Sequence, residues 1–234
     1  DKQCPSLDNV NFLIKSKEKI GIVGRTGAGK SSLVSSLFRL YDTHGTILID
    51  NIDVRTVPLD TLRARISIIP QDPILFTGSL RTNIDPYHEF DDSTIWKILE
   101  QVELKNAVLE LPQHLDTEIL QRGSNFSVGP KQLMCLARAI LRKNKIIVMD
   151  EATANVDSKT ERSIHQTIEE NFQDCTIITV AHRLSSILKS DRVLVMDDGK
   201  VVEFDRPDCL MQNSESLFSQ LLRGNQRTVM YTHA

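Results

Sequence analysis

An α/β fold built on buried parallel strands is predicted by three stretches of this chain. The apolar run Ile20-Gly21-Ile22-Val23 leads straight into Gly24-Arg25-Thr26-Gly27-Ala28-Gly29-Lys30-Ser31-Ser32, after which Leu33, Val34, Leu37 and Phe38 recur at helical spacing. A second continuous apolar run, Ile146-Ile147-Val148-Met149, ends in Asp150-Glu151, as a strand covered on both faces would. A helix over Lys159–Asn171 then separates it from a third strand, Thr176–Val180. Strand, helix and strand in alternation is the pattern that builds a parallel sheet with helices on its faces.

Taken in order, Asn9–Ile14 alternates as a half-buried strand, and Lys15-Ser16-Lys17-Glu18-Lys19 is a solvated turn into Ile20–Val23. The helix after the glycine-rich loop should end near Leu40, before Asp42-Thr43-His44-Gly45. Thr46–Ile49 reads as a short strand and Asn51–Val57 as a polar connection. Leu59 and Leu62 mark a helical turn, and Ile66–Ile69 is a buried strand ended by Pro70-Gln71-Asp72-Pro73, because proline cannot continue a ladder. From about Ser79 to Leu141 the period becomes helical. Asp91 or Asp92 caps a helix carrying Ile95, Ile98, Leu99 and Val102, and Leu104–Leu111 is a shorter helix stopped by Pro112. Past Gly123, Ser127 precedes the stripe Leu133, Leu136, Ala137, Ile140 and Leu141. Arg192–Met196, the turn Asp198-Gly199 and Lys200–Phe204 form a hairpin. Ser216–Leu222 is a terminal helix, with the last ten residues expected to fray.

The chemistry starts at Gly24–Ser32, which fits G-x-x-x-x-G-K-[ST]. Glycines let the backbone wrap a polyphosphate, successive N–H groups converge on its oxygens, and the helix N-terminus adds a favourable dipole. Lys30 would reach the β- and γ-phosphates, and the Ser31 hydroxyl would ligate Mg²⁺. The plainer alternative, a glycine-rich turn before a core helix, is weakened by the strand before and the helix after. Asp150, at a strand tip, would hold Mg²⁺ through water opposite Ser31, and Glu151 would polarise an attacking water as general base. Gln71 and His182 each lie just past a strand end, the edge where open α/β sheets bind ligands. Gln71 suits a metal ligand, His182 a donor to the γ-phosphate. Ser127 is a good N-cap, and Val128 and Gly129 offer amides at a helix N-terminus.

Composition narrows the classes. The chain has 234 residues, 40% hydrophobic and 25% charged, with a net charge of −3 that gives no general pull toward nucleic acid. Its four cysteines, Cys4, Cys135, Cys175 and Cys209, are scattered without a C-x-x-C pair, which argues against a zinc site or a disulfide framework. Cys135 and Cys175 read as small core residues. No apolar run approaches the ~18 residues needed to span a bilayer.

Asn125-Phe126-Ser127-Val128-Gly129-Pro130-Lys131-Gln132, placed upstream of the acidic strand, resembles the signature of ATP-binding cassette (ABC) ATPases. The remaining motifs fall in that family's order. Gln71 takes the Q-loop position, Thr117-Glu118 through Gly123 is similar to the exporter X-loop, Ala154-Asn155-Val156-Asp157 to the D-loop, and His182 to the H-switch. Ile20–Ser32, Ile68–Asp85, Ala137–Asp157 and Thr179–Leu184 look most like the second nucleotide-binding domain of subfamily C, the multidrug-resistance-associated group.

The resemblance implies a P-loop NTPase fold, with a RecA-like core, an N-terminal antiparallel β portion and an inserted α-helical subdomain. It implies a single domain over 1–234, with the core at 1–78 and 142–234 and the helical subdomain at about 79–141, as a piece of a larger membrane transporter. It further implies MgATP hydrolysis that powers export, through head-to-tail closure on a second nucleotide-binding domain. Gly24 to Ser32, with Gln71 and Asp150, would bind ATP, while Ser31, Gln71 and Asp150 hold Mg²⁺ and Glu151 and His182 act on water. Ser127, Val128 and Gly129 would serve the partner's ATP beside Asp157 of the D-loop. Transmembrane domains would dock on Gln71–Asp85 and the helical subdomain at the cytoplasmic face of a membrane, and no nucleic acid would bind.

Two departures qualify this. Pro130 stands where the family usually has Gln, which puts the opposite ATP site in doubt. No aromatic precedes Phe12 to stack on adenine, and Phe12 itself reads as core, so the stacking residue is expected upstream of residue 1. The rival readings are a nucleotide-gated regulatory module of subfamily C and an ATP-driven clamp on DNA or ribosomes; the X-loop-like segment and the lack of a basic surface run speak against the clamp. The tail Thr232-His233-Ala234 suits fraying better than a PDZ ligand.

Overall fold

The computed structural model describes residues 5–150, 156–181 and 184–231. In chain order it has β1 (Lys19–Gly24), α1 (Lys30–Leu37), β2 (Leu48–Ile49), β3 (Ile52–Asp53), α2 (Leu59–Ala64), β4 (Ile66–Ile69), β5 (Gly78–Ser79), α3 (Leu80–Ile84), α4 (Asp92–Gln101) and α5 (Lys105–Leu109). It continues with β6 (Glu118–Ile119), α6 (Val128–Arg142), β7 (Ile146–Asp150), α7 (Ser158–Asn171), β8 (Thr176–Val180), β9 (Arg192–Asp197), β10 (Lys200–Asp205), α8 (Pro207–Gln212) and α9 (Leu217–Tyr231). The chain folds as two compact units, one of 1–66 with 176–234, the other of 67–175.

In the first unit the strand order is β10-β9-β1-β8. β1 is parallel to both β8 and β9, and β10 turns back antiparallel on β9. The β9–β10 connection is the predicted Asp198-Gly199 turn, both residues at positive φ, 44° and 74°. A core of Val23, Ala181, Leu184, Ile187, Val193, Val195, Leu210 and Phe218 fills beneath this sheet, with Leu217, Leu221 and Leu222 packed on it. Arg192 closes one end by a paired contact on Glu18, Nε to Oε1 at 2.6 Å, and that bond holds the Glu18 carboxyl below its ordinary range.

In the second unit β7 lies beside β4, and α6 packs against α3, α4 and α7. Its largest buried side chains include Leu80, Ile95, Leu99, Ile119, Leu136 and Ile147. Asp91 is the cap of α4, accepting from the Thr94 N–H at 2.9 Å.

Several expectations are corrected. Asn9–Ile14 forms no strand: Asn9 is left-handed at φ 50°, the Asn11 amide bonds back to Asn9, and Leu13 is 74% exposed. Local side-chain bonds of this kind compete with a ladder. Phe12 is not core; it is 38% exposed and meets Phe204 edge-on at 5.9 Å. Thr46–Ile49 is a strand only at Leu48–Ile49, and the polar connection after it holds a hairpin, β2 paired with β3 across Asp50-Asn51 at φ 49° and 64°. α1 stops at Leu37 rather than near Leu40, because Arg39 turns left-handed and its guanidinium bonds the Val54 and Val57 carbonyls at 3.0 and 2.8 Å. The end of the chain is helical through Tyr231.

Candidate functional site

The glycine-rich loop begins where β1 ends. Gly24 has φ 153° beside β9, and a Cβ there would sit 2.2 Å from the Met196 carbonyl oxygen, so no larger residue fits without moving the strand. The loop closes at Gly29, the N-cap of α1, at φ 98° in the left-handed region. Contacts within the unit back it. The Gly199 N–H donates to the Ala28 carbonyl at 3.1 Å, and the Asp8 N–H donates to the Gly199 carbonyl at 2.8 Å.

Lys30, only 6% exposed, donates from Nζ to the Gly24 and Arg25 carbonyls at 2.9 and 3.1 Å. Its ammonium draws two loop oxygens toward itself, at the foot of a helix whose first-turn amides have no acceptor inside the helix. No acidic residue stands in that turn. A cation, first-turn amides and a helix dipole therefore meet at one loop, which fits a polyphosphate. Ser31, in the first turn of α1, is exposed.

In the second unit Gln71 is exposed, two residues past β4, and Asp150 is the last residue of β7, part-buried. The side chains of Ser31, Gln71 and Asp150 each carry an oxygen donor, the kind that Mg²⁺ prefers. Glu151 and His182, along with Ala154 and Asn155, lie outside the described residues.

Ser127 occupies the N-cap position of α6, but its side chain makes no capping bond. Pro130 is third in that helix, where a missing N–H breaks no intrahelical bond. Asp157 instead is a working cap: it accepts from the Thr160 N–H at 3.0 Å and the Thr160 hydroxyl at 2.7 Å. A Cβ placed on Gly129 would lie 3.5 Å from the Thr160 methyl and 4.0 Å from Asp157 Oδ2. The start of α6 and the cap of α7 are thus neighbours within one unit. Cys135 and Cys175 are buried, and burial pushes the Cys135 thiol up, away from nucleophilic use.

Sequence reasoning missed three polar residues that hold this region. Gln132, 1% exposed, donates from Nε2 to the Pro70 carbonyl at 2.9 Å. Arg138 reaches the Ile74 carbonyl at 2.7 Å, the Asn83 carbonyl, and Asn83 Oδ1 at 2.8 Å. Asn83 in turn pairs with both backbone groups of Phe76. The available signal was a glutamine at position 132, in register i, i+4, i+8 with Leu136 and Ile140 on the apolar stripe. A polar group on a buried stripe has to have a partner.

A family model described as ABC transporter matches residues 7–154. ATP-binding cassette sub-family C member 4 of Mus musculus is 54% identical over 217 residues, 93% of this chain and 16% of that protein. The probable multidrug resistance-associated protein lethal(2)03659 of Drosophila melanogaster is 54% identical over 222 residues, 94% of this chain and again 16% of the relative. A bacterial Atm1-family ABC exporter, solved with ATP bound, superposes with a TM-score of 0.89 at 33% identity, over 96% of this chain and 40% of the other. The chain thus spans about a sixth of the length of the curated relatives it matches. Among the described residues no helix is long and apolar enough to cross a membrane.

Proposed function

This chain belongs to the ABC transporter family, and on that premise we propose that it is the MgATP-binding and ATP-hydrolysing domain of a subfamily C exporter. The observation that carries the reading is the loop at Gly24–Ser32, with its left-handed N-cap and the Lys30 ammonium seated on the loop's own carbonyls. When bound, MgATP supplies a phosphoanhydride whose cleavage releases free energy and a metal that offsets charge on the phosphates.

The chain's own groups do the rest. Backbone amides of 24–32 and Lys30 orient the phosphates, and Ser31, Gln71 and Asp150 hold the metal. Glu151 takes a proton from water, and His182 positions that water. Ser127, Val128 and Gly129 present the N-terminus of α6 to the ATP of a second nucleotide-binding domain, with Asp157 beside them, in head-to-tail closure. Pro130 leaves that opposite site without one amide and without the family's glutamine side chain. The domain's core is 1–78 with 142–234, and 79–141 is its helical subdomain. Ile74 and Phe76, 57% and 67% exposed, support the stretch Gln71–Asp85 as the seat for transmembrane domains at the cytoplasmic face of a membrane.

The test is nucleotide binding by the full-length protein, followed with a fluorescent ATP analogue and Mg²⁺. Lys30→Ala is expected to weaken binding by tenfold or more, of the order of a lost charge-assisted contact. Equal affinity in wild type and variant would remove the loop from the site.

A further inference from the structure

The Q-loop position and the signature helix are joined by a part-buried side-chain bond from Gln132. Gln132 stands one turn into α6, within the helix that opens at Ser127-Val128-Gly129. Its Nε2 donates at 2.9 Å to the carbonyl of Pro70, the residue immediately before Gln71. Gln132 itself is 1% exposed, so the donor end of the bond is buried and the acceptor end, at Pro70, half-buried. Further along the same helix, Arg138 fastens the Ile74 and Asn83 carbonyls. The stretch from Pro70 to Asn83 is therefore pinned to α6 at both ends, and Gln132 is the pin nearest Gln71.

We propose that Gln132 is a positioning residue for Gln71, fixing its backbone to the second turn of the signature helix so that metal engagement at Gln71 and the pose of Ser127–Gly129 change together. This rests on the metal role proposed above for Gln71. A side chain without that donor takes away the Pro70 carbonyl's partner and frees the Gln71 backbone to move against α6. Outer partners of a metal ligand act in this way, at about 10- to 100-fold in metal affinity or activity.

The experiment is Mg²⁺-dependent binding of a fluorescent ATP analogue, followed by fluorescence, together with phosphate release across ATP and Mg²⁺ concentrations, by the full-length protein in membranes, for wild type, Gln71→Ala, Gln132→Met and the double variant. Gln132→Met keeps the shape and loses the bond. The expected result is about a tenfold rise in the half-saturating Mg²⁺ and a lower kcat, with KM for ATP little changed. The double variant should be no worse than Gln71→Ala, since the two residues act through one contact. A loss of active protein with a wild-type Mg²⁺ profile, or effects that multiply in the double variant, would overturn the proposal. Should Gln132→Met fail to fold, Gln132→Leu also lacks the donor, adds no charge and is read by the same outcomes. If Gln71→Ala itself leaves the Mg²⁺ profile unmoved, the metal role of Gln71 fails first and this inference with it. If Gln71→Ala moves the profile and the Gln132 variants do not, only this inference fails.

Discussion

Lys30 and the glycines around it show how far single residues determine the site. Each glycine of the loop has a different reason to be one, and the reasons predict different costs. At Gly24 a methyl would meet the Met196 carbonyl oxygen at 2.2 Å, whereas at Gly27 it would meet nothing within 4 Å and only the φ of 83° opposes it. Gly24→Ala should therefore lower the unfolding free energy by about 3 kcal/mol and Gly27→Ala by about 1 kcal/mol, read from denaturant midpoints of the two variants. Equal losses would mean that strain, not the close approach of β9, accounts for Gly24. The loop was legible from sequence because its residue types are dictated by backbone chemistry. Gln132 and Arg138 were not, because their partners are carbonyls, Pro70 for one and Ile74 and Asn83 for the other, and any residue type could have supplied those.

At the scale of elements, helix α9 is held by a strand rather than by its own sequence. The ladder of β10 on β9 shifts register between Val201 and Glu203, and Glu203 faces the start of α9. Its carboxylate accepts from the Ser216 hydroxyl at 2.8 Å and from the Leu217 and Phe218 N–H groups at 2.8 and 3.1 Å, serving as a cap supplied from a distance. Glu203→Ala should cost about 2 kcal/mol and speed amide exchange at Leu217 and Phe218 before the rest of the unit; unchanged exchange there would show that the cap is supplied elsewhere. Strands with near-continuous buried runs, such as β1 and β7, were readable from sequence, since burial on both faces leaves little other residue choice. The β2–β3 hairpin was missed because Asp50-Asn51 lacks the glycine that usually announces such a turn. Asn9–Ile14 was misread because alternation alone does not supply a neighbouring strand.

For the molecule as a whole, the α/β class, the P-loop and family membership were all legible, because the motifs occur in one fixed order along the chain. The division into two compact units was not, since the boundaries at Ile66 and Cys175 fall beside strands and carry no linker composition. Gly24–Ser32 fall in the first unit, and Gln71, Ser127–Gly129, Asp150 and Asp157 in the second. The proposed function draws on residues of both units, so it is best tested by turnover in the intact protein. The most direct measurement is steady-state phosphate release from MgATP by the full-length protein in membranes, wild type against Glu151→Gln. The account predicts that the variant still binds MgATP while turnover falls by about 10²-fold, as for a lost general base. Turnover that is negligible in wild type and unchanged by Glu151→Gln would contradict hydrolysis at this site and leave a nucleotide-gated module as the function.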